Sequence, residues 1–151
     1  MELRKTILLL TDFTKRAERA ADMALEMAIT NHADILIYNS IVSIEASVIT
    51  GERRSPDKEI AALDQKSEER LNDLTQYLKS KLTPEHQAAI TITCKNGTGP
   101  VMETISELVA ENAIWLVVMG NHVDKTIATL YFDSNIPSVM NYCGCPLLLV
   151  P

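Results

Sequence analysis

Short, wholly apolar runs alternate along this chain with longer stretches in which apolar residues return every three or four positions. Runs of about four to eight apolar residues between polar turns mark strands buried on both faces, and the longer period marks helices with one covered side. Ile7 to Leu10 is the first run, and Asp12 follows it at once as a polar tip. Ala17, Ala20, Ala21, Ala24, Leu25 and Ala28 then fall at helical spacing, with Thr14 placed to cap the start and Asn31 near the stop. The small alanine face suits a helix lying close on a sheet. Ile35 to Ile41, interrupted by Asn39 and Ser40, predicts a second strand. Val42 to Pro56 carries Gly51, Ser55, Pro56 and a pair of arginines without a period, so it reads as an exposed connection.

From Asp57 onward Ile60, Leu63, Leu71, Leu74, Leu78 and Leu82 mark one face of a long amphipathic helix that ends before Pro84. Ile90, Ile92 and Cys94 alternate with polar residues, and the run is expected to stop at Asn96, Gly97 and Gly99. This third strand has a wetter face and suits a sheet edge. Pro100 fits the first turn of the next helix, where its missing N–H costs nothing, and Val101, Ile105, Leu108 and Val109 supply the buried face. Trp115 to Met119 is the fourth strand, ending at Gly120. Asp133 to Asn135 and Pro137 predict the cap and first turn of a last helix carrying Val139, Met140 and Tyr142, and Leu147 to Val150 is the fifth strand.

Strands separated by helices require right-handed crossovers and a parallel sheet, so the pattern specifies an α/β fold in one domain over residues 1–151, without internal repeats. A five-stranded sheet of this kind takes the order 2-1-3-4-5 or 3-2-1-4-5, and ligands bind where the order reverses. In the second order the tips of strands 1 and 4 flank the crevice and bring Asp12 opposite Gly120. The loop after Gly120 is therefore the place to look for function.

Composition narrows the partners. A chain of 151 residues buries roughly two thirds of its unfolded surface and needs no disulfide or metal to fold. The net charge of −6, with Lys and Arg scattered, argues against nucleic acid. No signal peptide opens the chain, and no apolar stretch approaches the roughly eighteen residues of a membrane span, so a cytoplasmic protein with free thiols is expected. Cys143 and Cys145 frame Gly144, but no second pair exists to complete a metal site, and they read as packing thiols. Lys15, Arg16 and Arg19 crowd the start of the first helix as an exposed polar face. His32 and His86 read as solvated residues at helix ends, and His122 as an exposed loop histidine with no nucleophile or second acid beside it.

The segments KTILLLTDFT at Lys5 to Thr14, LVVMG at Leu116 to Gly120 and CPLLLVP at Cys145 to Pro151 come in an order that resembles the universal stress protein family. The resemblance extends over nearly the whole chain and implies a Rossmann-like domain with strand order 3-2-1-4-5, dimeric as a rule, in a family with ATP-binding and non-binding branches. It places nucleotide-binding positions at Thr11, Asp12, Ser40, Met119, Gly120, Val123, Asp133, Ser134 and Asn135. The binding branch has a loop of the form G-x-x-G, nine residues, then G-[ST]. Aligned from Gly120, this chain has Val123 at the second glycine, Asp133 at the third and Ser134 at the Ser/Thr position.

Those departures bear on phosphate. The glycines let main-chain N–H groups approach an anion and adopt positive φ at little cost, whereas Val123 is β-branched and strained in such a conformation. A carboxylate about 5 Å from a phosphate, at an effective dielectric of about 20, costs roughly 3 kcal/mol per unit of facing charge, or about two decades of affinity. Asp133 can instead take the phosphate's place at the helix N-terminus, while Lys125 and His122 could soften its charge. The expectation is a non-enzymatic stress-response module with no tightly held cofactor. The alternative is a nucleotide-binding switch that takes ATP with Mg and hydrolyses it slowly at most. The chain contains no G-x-G-x-x-G after strand 1, no P-loop and no G-x-S-x-G elbow. The apolar strand Leu147 to Val150, at an expected sheet edge, predicts a homodimer through that edge.

Overall fold

The apolar runs are assembled into one five-stranded parallel sheet in the order β3-β2-β1-β4-β5. The computed structural model describes residues 4–41, 56–98, 101–120 and 144–151. In chain order the elements are β1 (Thr6–Leu10), α1 (Lys15–Asn31), β2 (Asp34–Ile41), α2 (Pro56–Ser80), α3 (Pro84–Ala89), β3 (Ile92–Thr98), α4 (Val101–Asn112), β4 (Ile114–Gly120) and β5 (Leu147–Val150). β1 sits at the centre, pairing Leu8 with Leu36 on one side and with Val117 on the other. Its residues Ile7 to Leu10 are at most 2% exposed, which is why this run is apolar without alternation. The order reverses beside β1, and the carboxyl tips of β1 and β4 lie together there.

Two hydrophobic layers cover the sheet. Ile7, Leu9, Ile35, Ile37, Leu116 and Val118 point to one face and pack with the alanines of α1 and with Leu71 and Leu78 of α2. Leu8, Leu10, Leu36, Tyr38, Val117 and Met119 point to the other and pack with Ile105 and Leu108 of α4. Alternate residues of each strand thus belong to different cores, as the pleat requires. Among the described residues no helix is long and apolar enough to cross a membrane.

The structure departs from the sequence reading in two elements. β3 does not stop at Asn96 and Gly97 but runs to Thr98, in register with Asn39, Ser40 and Ile41 of β2. The reason is Tyr38: a Cβ on Gly97 would run into the Tyr38 hydroxyl and stand 3.2 Å from its ring. The glycine therefore admits a neighbouring side chain within a strand, rather than ending it. Likewise Pro84 does not only stop the long helix. α2 ends at Ser80, and Thr83 then caps α3, its hydroxyl accepting from the His86 N–H at 3.3 Å with Pro84 in the first turn. The third strand is an edge strand, as expected. The expected last helix at Asp133 to Tyr142 lies outside the described residues, and so does the connection expected over Val42 to Pro56, except Pro56 itself, which opens α2.

Candidate functional site

The turn that leaves β1 is built from its own side chains. The Thr11 N–H continues the ladder onto the Tyr38 carbonyl at 3.0 Å, and its hydroxyl accepts from the Phe13 N–H at 3.1 Å. Asp12 Oδ1 accepts from both the N–H and the hydroxyl of Thr14, at 3.1 and 2.6 Å. The Thr14 hydroxyl in turn accepts from the Ala17 N–H at 3.2 Å, so the carboxylate and the helix cap are one chain of hydrogen bonds. Phe13 sits at φ 64°, in the left-handed region that a bulky side chain occupies at a cost on the order of 1–2 kcal/mol. Its partly buried ring packs on the core and lies 5.6 Å beneath the Arg70 guanidinium, contacts that offset that cost.

Beside Thr11 a cavity of about 510 Å³ opens where α1 and α2 meet, walled by Phe13, Glu18, Arg70, Asp73 and Tyr77. Such a volume suits a small molecule. Beyond it, the two helices are tied across their exposed seam. Lys81 Nζ donates to Asp22 Oδ1 at 2.7 Å, the Tyr77 hydroxyl donates to the same oxygen at 3.2 Å, and the ammonium lies 4.4 Å from the Tyr77 ring. The hydrogen bond that Lys81 donates to Asp22, with the contact to Tyr77, holds its ammonium above its usual range. Among the described residues no group of three or more His, Cys, Asp and Glu is placed to hold a metal ion.

The model of the universal stress protein family matches residues 3–151. This chain belongs to that family. Solved members share the fold at low identity. The universal stress protein UspA from Lactobacillus plantarum has a TM-score of 0.73 at 14% identity, with 100% of both chains covered. A family protein from Burkholderia pseudomallei has 0.71 at 19%, covering 100% of this chain and 98% of that one. The universal stress protein from Archaeoglobus fulgidus in complex with dAMP has 0.64 at 17%, covering 99% and 100%, and a universal stress protein in complex with cAMP has 0.61 at 21%, covering 99% and 98%. Among curated proteins none matches the sequence.

The positions that the family resemblance singled out are brought together in part. Thr11 and Asp12 follow the end of β1, Met119 and Gly120 end β4 next to it, and Ser40 lies near the end of β2 opposite Gly97. Thr11 and Met119 are buried, at 3% and 2% exposure. Gly120 abuts α1: a Cβ there would stand 3.1 Å from the Arg16 carbonyl group and 3.3 Å from the Ala17 nitrogen. Val123, Asp133, Ser134 and Asn135 lie outside the described residues, as do His122 and Cys143. Cys145 is half buried and packs on the α4-side core. His32 is exposed and caps α1 at φ 52°, whereas His86 lies within α3 with its side chain half buried.

Phe13, Arg70, Asp73 and Tyr77 were missed as cavity residues. Arg70, Asp73, Leu74 and Tyr77 stand at helical intervals along one stripe of α2, flanking the leucines, so a signal was present. Which helix that flank would face was not written in its period.

Proposed function

We propose that this protein is a non-enzymatic stress-response module, one domain over residues 1–151, whose crevice does not hold ATP tightly. The observation that carries this reading is the replacement of two phosphate-loop glycines by Val123 and Asp133. Support comes from the neighbouring turn, where Asp12 Oδ1 is engaged by Thr14 and serves the helix cap. The test is calorimetric titration with Mg-ATP of the native chain beside a Val123→Gly, Asp133→Gly double variant. The native chain is expected to show no micromolar binding, and the variant to gain about two decades of affinity. Micromolar binding by the native chain would overturn the reading.

A second reading, a nucleotide-binding switch with at most slow hydrolysis, is favoured by one observation: solved relatives are complexes with cAMP and dAMP, each carrying a single phosphate. Such ligands make a smaller demand on the loop than a triphosphate does. Saturable binding of AMP or of Mg-ATP by the native chain would place the protein there. In either case we expect a cytoplasmic homodimer joined through Leu147–Val150, with partners other than nucleic acid.

A further inference from the structure

At the amino-terminal end of the strands, opposite the crevice, a second concavity of about 570 Å³ lies between the segment leading into β1, the end of α1, and α3. Arg4, Lys5, His32 and His86 line it from those three segments, and Ile29 and Ile90 add apolar surface. Such a gathering of basic side chains is unexpected in a chain of net charge −6.

Its surroundings hold two of the cations in place, with Asp34 offsetting the charge of Arg4. Asp34 Oδ2 meets Arg4 Nε at 2.9 Å, and its Oδ1 accepts from the Thr91 N–H at 2.8 Å, so one carboxylate anchored at both oxygens orients the guanidinium. Lys5 Nζ lies 4.9 Å from the centre of the Trp115 ring, a neutral support that leaves its charge intact. The end of α1 would repel an anion through its last carbonyls. That effect is offset in part: the Ala28 carbonyl accepts from the His32 and Ala33 N–H groups, and the Met27 carbonyl from Asn31 Nδ2 at 2.8 Å.

We propose that this concavity is a binding site for a small organic phosphate monoester. Donors arriving from three segments suit the tetrahedral oxygens of a phosphate better than the plane of a carboxylate. The remaining volume accepts an organic group on Ile29 and Ile90. Lys5 supplies permanent charge, Arg4 supplies the guanidinium donors beyond the Nε that Asp34 engages, and the imidazoles of His32 and His86 supply further donors. The site is independent of the crevice, and ATP binding there neither supports nor weakens it.

The test is a titration of the full chain with phenyl phosphate, followed by the imidazole carbon-bound proton signals in NMR, with inorganic phosphate and benzyl alcohol as probes of the two halves of the ligand. Saturable movement of the His32 and His86 signals is expected, with phenyl phosphate binding more tightly than inorganic phosphate and benzyl alcohol moving neither signal. His86→Gln and Lys5→Gln are each expected to weaken binding about tenfold, with thermal unfolding unchanged. Lys95→Gln, an exposed change on β3, should weaken it less than about twofold. Absence of saturable movement in the native chain would overturn the site, and so would equal weakening by Lys95→Gln, the sign of general attraction to positive charge. Equal affinity for inorganic phosphate would overturn the organic ester as its ligand.

Discussion

Gly120 shows how one residue serves both packing and site. The alanine face of α1 lets the helix settle against the sheet, with Ala17, Ala20, Ala21, Ala24 and Ala28 at no more than 1% exposure, and its first turn then comes down on the end of β4. A side chain at Gly120 would press on helix backbone that cannot swing aside. Gly120→Ala is therefore expected to destabilise the fold by about 1–3 kcal/mol, which thermal unfolding would show as a fall of several degrees for a chain of this size. An unchanged melting temperature would mean that the packing is looser than 3.1 Å implies. This reason for a glycine was not legible in the sequence, where Gly120 reads as the end of an apolar run. Phe13 is a similar case, since a phenylalanine gives no local sign of the left-handed backbone it adopts.

At the scale of the element, the entry into α1 follows from a local rule that was readable in advance. The sequence marks Thr14 as the cap, and its hydroxyl accepts from the Ala17 N–H. The fold adds Asp12, whose Oδ1 binds the same hydroxyl, so cap and strand tip share one network. Thr14→Ala is expected to cost about 1 kcal/mol through the lost cap, and Thr14→Ser to recover most of it. Urea unfolding would read this as a shift in midpoint at constant slope. α2 is less legible. Its leucine period located the helix, but Ser67 is also buried on the covered side, where its hydroxyl accepts from Asn39 Nδ2 at 2.7 Å. The Asn96 amide reaches Asp64 Oδ1 at 2.7 Å along the same seam. A helix that rests partly on polar strand residues breaks the simple apolar stripe by which such helices are found.

For the whole molecule, the edge position of β5 makes the proposed dimer specific. Leu149 is 36% exposed, whereas Leu148 packs on the α1-side core. Leu149→Lys is the cleaner probe, because a charge at Leu148 would disturb the monomer as well. Sedimentation at tens of micromolar is expected to show a dimer for the native chain and a monomer for Leu149→Lys. A native monomer, or a dimer indifferent to the lysine, would count against edge pairing. The sequence by itself determined the alternation of strands and helices and the burial of β1 on both faces. These follow from periodicity and from the handedness of crossovers, which are local or topological constraints. Family membership was also legible, in short motifs whose order mattered more than their content. Only the tertiary structure decided which flank of α2 faces α1, why Gly97 lies within a strand, and that Arg4, Lys5, His32 and His86 meet at one end of the sheet. Each depends on distances between residues remote in the chain, and hydrophobic period records that a side is covered without recording by what.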